Sequence, residues 1–139
     1  MEVRTVDTWE KPIPDGGNVI GEFWQAAAEG RLLIQRCPSC GTRQFYPRLV
    51  CVTCGAEPEW EEVSGDGVVH TFTVVRQNGA KPFSAELPYV VAMIELPEGP
   101  RMMGNVTGCA VEDVAVGMAV RAYAVRIEDG LAIPFWEPA

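Results

Sequence analysis

Residues 36–55 read RCPSCGTRQFYPRLVCVTCG, and the parsing of the chain turns on the four cysteines in this stretch. Cys37 and Cys40 form one C-x2-C pair; Cys51 and Cys54 form a second, ten residues later. A two-residue gap lets both thiolates of a pair reach one ion. The glycine after each second cysteine, Gly41 and Gly55, permits a tight turn that aims backbone N–H groups at sulfur. Four thiolates complete a tetrahedral shell, so no position is left open to activate water, and such a site stabilises a fold. In a module too small to bury much surface, metal binding is itself folding free energy. Iron takes the same four-thiolate geometry. Paired disulfides would need an oxidising compartment, and the start MEVRTVDTWEKP shows no secretory pattern. Zinc is the expected ion, because a β domain larger than the metal module follows it.

Upstream, residues 1–17 are polar and turn-rich and are expected to form an extended arm. In NVIGEFWQAAAEG, residues 18–30, the apolar positions Val19, Ile20, Phe23, Trp24, Ala27 and Ala28 recur at helical spacing, with Asn18 as N-cap and Gly30 as C-terminal cap. RLLIQRC reads as a strand entering the first cysteine pair, and TRQFYPRLV as the hairpin between pairs. Residues 18–60 are therefore assigned to a helix plus metal ribbon.

Downstream, residues 61–139 change character to short β segments: VVHTFTVVR, PYVVAMIEL, RMMGNVTG, MAVRAYAVRI and LAIPFW. Turn signals separate them, and Asp129-Gly130 suits a two-residue hairpin turn. Five short strands with little helix predict a mainly β chain ending in a five-stranded barrel of the OB type.

Composition narrows the function. At 139 residues with 47% hydrophobic and 22% charged residues, the chain is ordinary globular material. No apolar run approaches the ~20 residues of a membrane span, so no membrane partner and a cytoplasmic location are expected. A net charge of -8 disfavours nucleic acid. In the β domain Arg76, Lys81, Arg101, Arg121 and Arg126 are dispersed among acids, unlike a strand-binding barrel face. Between Glu29 and Glu57, however, there is no acid, while Arg31, Arg36, Arg43 and Arg48 all fall there. This basic island suits either a counter-charge for the thiolate centre or an anion-facing surface.

Two residues resemble catalytic groups without forming a constellation. His70, the only histidine, is placed by alternation with Val68, Phe72 and Val74 on one strand side, or at a strand edge. Cys109 stands in a Gly-Cys-Ala turn with no base adjacent in sequence, which reads as an inert thiol. No nucleophile elbow, Walker loop or dinucleotide fingerprint is present. No catalytic residue is expected.

The stretches FWQAAAEGRLLIQRCPSCGTRQFYPRLVCVTCG, WEEVSGDGVVHTFTVV, PYVVAMIEL and GPRMMGNVTG, with the V-x-x-G-M-x-V segment Val114–Val120, resemble the zinc-ribbon plus OB-fold proteins associated with acyl-CoA metabolism. The resemblance covers residues 18–136. It implies a helix leading into a rubredoxin-like ribbon and an OB barrel, with structural zinc on Cys37, Cys40, Cys51 and Cys54. It also implies an accessory subunit of a hetero-oligomer. Members of that family bridge acetoacetyl-CoA thiolase and hydroxymethylglutaryl-CoA synthase, or pair with a thiolase-like, lipid-transfer-type aldolase that removes steroid side chains as CoA thioesters. On this reading the chain helps form the partner's acyl-CoA channel. Arg43 and Arg48 are then candidates for the phosphates of CoA, and Phe23 and Trp24 for the partner interface. The competing readings are a single-stranded nucleic-acid-binding module and a stand-alone acyl-CoA enzyme.

Overall fold

The computed structural model describes residues 1–139, apart from the side chain of Asn18, so the cap expected there lies outside the described residues. Strand β1 (Glu2–Thr5) is followed by a 3-10 turn (Asn18–Ile20) and helix α1 (Gly21–Ala28). Ile20 occupies the N-cap position of α1, with no side-chain cap. The other end behaves as expected. Gly30 adopts φ +82°, Gly30 N–H donates to Ala27 O and Arg31 N–H to Ala26 O. This is the paired-bond closure that a left-handed glycine allows.

Three strands form the ribbon sheet: β2 (Leu32–Arg36), β3 (Arg43–Gln44) and β4 (Glu59–Val63), in the order β3-β2-β4. The 60/61 boundary drawn from sequence falls within β4. Next come β5 (Asp66–Val75), a single-turn helix α2 (Lys81–Ser84), β6 (Tyr89–Glu95), β7 (Arg101–Val106), β8 (Ala119–Glu128) and β9 (Leu131–Pro138). β5, β6, β7, β9 and β8 pair in that order, and β8 returns to β5, closing a five-stranded barrel. These are the five strands expected from the β segments. The turn at Asp129-Gly130 is also as expected: Glu128 faces Leu131 across it and Gly130 sits at φ +74°.

Within the extended arm expected over residues 1–17, four residues join the barrel sheet. Residues 2–5 add β1 in parallel to β8, with Val3 opposite Ala124. Arg4 stacks 3.8 Å above the Tyr123 ring and donates to both carboxylate oxygens of Glu137 at 3.0 and 2.7 Å. Further along the arm, Trp9 meets Phe135 edge-on and Lys11 pairs with Glu86 at 2.8 Å.

A departure from the expected alternation lies in β5. Its register against β6 shifts between Val69 and Thr71, leaving His70 as the extra residue of a bulge. Val68 and His70 face solvent, whereas Phe72 and Val74 pack against the core. The single face expected for these four residues is split because the bulge advances the alternation by one.

The barrel core centres on Trp136, which is fully buried. Strands close around so large a side chain only where neighbours lack a Cβ. A Cβ on Gly104 would lie 2.6 Å from Trp136 Cδ1 and 2.7 Å from Nε1. α1 lies against the barrel through small residues, with Ala27 and Ala28 meeting Ala124 and Ala132. Arg126 of β8 donates to Ala28 O at 2.7 Å, placing a cation at the helix C-terminus.

Gly104→Val is expected to destabilise the chain by about 1–3 kcal/mol through overpacking against Trp136. Urea titration followed by tryptophan fluorescence checks this; an unchanged midpoint would show that the indole can move aside.

Candidate metal centre

Each cysteine pair is set by the same small backbone device. Cys37 N–H donates to Thr42 O at 2.8 Å and Gly41 N–H to Cys37 O at 2.9 Å. In the second pair Cys51 N–H donates to Ala56 O at 2.7 Å and Gly55 N–H to Cys51 O at 3.0 Å. Gly41 and Gly55 both take φ +77°, a conformation a side chain resists. The repeat CxxCG thus becomes two matching turns facing each other.

The turns bring four sulfurs to within 4.8 Å of one another. Across the pairs, Cys37 Sγ lies 3.4 Å from Cys54 Sγ and Cys40 Sγ 3.6 Å from Cys51 Sγ. A tetrahedral ion with ~2.3 Å metal–sulfur bonds requires sulfur separations of about 3.8 Å. The observed separations bracket that value, so the donor set takes up zinc with small sulfur shifts. Cys37 and Cys51 are buried, Cys40 and Cys54 exposed, so the centre sits at the ribbon surface with one edge toward solvent.

Electrostatics point the same way. The backbone N–H groups of Cys54 and Thr53 bring the Cys51 thiol down to about 6. The Thr42 hydroxyl, then its backbone, hold Cys40 below the usual thiol range. At Cys54 the Ala56 N–H pulls downward, but the sulfurs of Cys37, Cys40 and Cys51 together with burial push it up to about 12. Four thiolates this close do not ionise together unaided; a divalent cation makes the tetra-anion stable.

Two glutamines hold the loop before and through the second pair. Among the described residues, Gln35 and Gln44 are the buried polar ones, 3% and 7% exposed. Gln44 Nε2 donates to Gln35 Oε1 at 2.8 Å and to Val50 O at 3.3 Å. Gln35 Oε1 also accepts from Arg48 N–H at 2.8 Å, while Gln35 Nε2 donates to Arg48 O at 2.9 Å. Val52 N–H donates to Gln44 Oε1 at 3.0 Å. Both amides are satisfied by one another and by the backbone of residues 48–52. Sequence reasoning passed over these residues. The available signal was a glutamine in each of β2 and β3, whose other residues are apolar or basic.

The remaining candidates are scattered around the centre. Arg43 is held by both oxygens of Glu61, at 2.8 and 2.9 Å. Arg48 is exposed and makes no ion pair among the described residues. Phe23, expected at a partner interface, is interior at 3% exposure, whereas Trp24 beside it is half-buried. Trp24 lines a groove of about 310 Å³ with Phe45, Tyr46, Met103, Asn105 and Pro134. His70 Nδ1 stands 3.6 Å from Glu95 Oε2. Burial, then the nearby Asp113 carboxylate, push the Cys109 thiol up.

A four-cysteine ribbon docked through one helix onto an OB barrel defines a two-unit zinc-ribbon/OB-fold protein. Residues 24–61 match the ChsH2 rubredoxin-like zinc ribbon domain, and residues 60–125 the ChsH2 C-terminal OB-fold domain. A DUF35 domain-containing scaffold protein of Methanocaldococcus jannaschii is 44% identical over 111 residues, which is 77% of this chain and 78% of that protein. A probable enoyl-CoA hydratase alpha subunit of Thermomonospora curvata is 37% identical over 84% of this chain, which spans only 37% of that subunit. A chain in the structure of the Ltp2–ChsH2(DUF35) aldolase superposes with a TM-score of 0.78 at 32% identity, covering 88% of this chain and 95% of that one. The chain belongs to the ChsH2-type DUF35 family, and its four cysteines form a structural zinc site.

Cys51→Ser is expected to lower bound zinc from one per chain to well below half, with the barrel still folded; metal analysis alongside circular dichroism reads both. Gln44→Ala removes the acceptor of Val52 N–H and the donor to Val50 O and is expected to cost about 1–3 kcal/mol, measured as loss of stability with zinc retained. Protons compete with zinc for thiolates, so affinity falls as pH falls. A chromophoric chelator should capture zinc faster at about pH 5 than at about pH 7, and equal rates would show that the thiolates are not the ligands.

Proposed function

We propose that this chain is a non-catalytic accessory subunit that binds a thiolase-like enzyme, either a thiolase or a lipid-transfer-type aldolase, and helps form its acyl-CoA substrate channel. The observation that carries the reading is the likeness, along nearly the whole of both chains, to a chain of the Ltp2–ChsH2(DUF35) aldolase. Relatives named as scaffold proteins and hydratase alpha subunits support a role in a hetero-complex, in which the chain acts through what it holds.

The site chemistry agrees with that role. A closed four-thiolate centre stabilises a fold and offers no coordination position for substrate. On this reading the carbon–carbon bond chemistry belongs to the partner, and this chain supplies surface. Trp24, with the groove beside it, is the part of α1 available to an acyl chain or to the partner; Phe23 supports it from beneath at 4.9 Å between rings. Of the two arginines considered for the phosphates of CoA, Arg43 is committed to Glu61. Arg48 is the one positioned to meet an anion, whether from the coenzyme or from the partner. Among the described residues no helix is long and apolar enough to cross a membrane; the cytoplasm, with lipid or steroid side-chain breakdown as the setting, is the compartment this reading assigns.

Co-expression with the thiolase-like protein of the same organism is the test. A stoichiometric complex is expected, with acyl-CoA turnover at least tenfold above that of the partner alone. Equal turnover with and without this chain would overturn the accessory role.

A further inference from the structure

The tip of the ribbon is unlike the rest of the surface. Leu49 is 76% exposed, Val50 52% and Val52 60%. Among the described residues, no other stretch of four places three large aliphatic side chains in solvent. Solvent exposure of this kind in an isolated chain marks an interaction surface when it is contiguous and rimmed by polar groups.

The three side chains are also held in place. Cys51, between Val50 and Val52, is 3% exposed and turned toward the metal, so its two neighbours are turned outward. The backbone beneath them is fixed at Arg48, Val50 and Val52 by the Gln35–Gln44 pair. A loop ordered in advance by a metal and two buried amides loses little freedom on binding, which is how preorganised surfaces gain affinity.

Charge says what kind of surface it meets. Of the chain's 11 Lys and Arg, Arg31, Arg36, Arg43 and Arg48 fall between residues 30 and 56; none of its 19 acids does. Arg31 and Arg43 are tied to Glu29 and Glu61, while Arg36 and Arg48 are exposed without an ion pair among the described residues. Glu22 and Glu57 stand across a shallow hollow from Arg48 and Leu49 and mark where the acidic body resumes. A surface carrying carboxylates is repelled by that body and admitted at the tip, so the field selects the orientation of approach.

We propose that Leu49, Val50 and Val52 form a preformed apolar knob that inserts into a carboxylate-rimmed apolar hollow on the partner enzyme, with Arg48 meeting the rim. This rests on the accessory-subunit reading and adds to it a docking element distinct from the Trp24 groove. The knob is the anchor of the complex, and the zinc centre acts on binding by holding its backbone.

The test uses the full-length zinc-loaded chain and the thiolase-fold enzyme that co-purifies with it, with binding followed by surface interferometry. Leu49→Ser/Val50→Ser is expected to keep one zinc and the wild-type melting temperature while weakening binding about a hundredfold, as for a central anchor. Arg48→Glu is expected to slow association roughly tenfold and to flatten its dependence on salt. Val116→Ser, at an exposed aliphatic residue between β7 and β8, serves as the control and is expected to leave binding unchanged. Affinity within twofold of wild type for the double serine variant would overturn the knob. So would wild-type self-association at micromolar concentration that the same variant abolishes, which would put a second copy of this chain in the hollow's place. If the wild-type chain binds no thiolase-fold enzyme, the accessory reading itself fails and the knob falls with it.

Discussion

Repulsion among four sulfurs packed within 4.8 Å of one another is the constraint from which the rest of the ribbon follows. A three-stranded β3-β2-β4 sheet whose edge strand β3 is only two residues long buries too little to persist by apolar contact alone. The zinc ion converts that repulsion into the attraction that closes both cysteine turns. Once they are closed, Arg48, Val50 and Val52 present their backbone groups at fixed positions, and Gln35 and Gln44 can satisfy them. The glutamines are affordable in the interior for the same reason: every polar atom of both amides meets a partner.

From the ribbon the order passes to the barrel through α1. Its Phe23 joins the ribbon residues Leu32 and Ile34 in the main core cluster, alongside barrel residues such as Val90 and Met102. Its Ala27 and Ala28 lie on Ala124 and Ala132. The alanines allow close approach, and Arg126 secures the helix end. The barrel in turn is organised around Trp136, which the strands can enclose because Gly104 gives way to the indole.

Much of this was legible in the chain because the signals were local. The cysteine spacing, the glycine after each pair and the Asp129-Gly130 turn each specify backbone geometry within a few residues. The strands followed from alternation between such turns. What escaped depended on partners distant in sequence. Residues 2–5 carry two charged side chains and a single Val3 between Glu2 and Arg4; they become a strand only because β8, more than a hundred residues later, offers an edge. His70 was given the wrong companions because one inserted residue in β5 reverses the alternation. A bulge shows in the pairing with β6, where sequence carries no mark of it. Gln35 and Gln44 look like ordinary surface glutamines until the hairpin folds their amides together. Phe23 and Trp24 are adjacent and similar in type, yet helical rotation sends one inward and leaves the other at the groove.

The way α1 is shared has a further consequence for how this architecture can be varied. A ribbon attached by a flexible tether could be exchanged as a cassette, one metal module for another, without disturbing the barrel. Here one face of the helix completes the ribbon's apolar side and the neighbouring face fits a buried alanine seam on β8 and β9. Recombination at the ribbon–barrel boundary would therefore have to carry the helix and its seam together, so that the unit of inheritance is the pair and not either half.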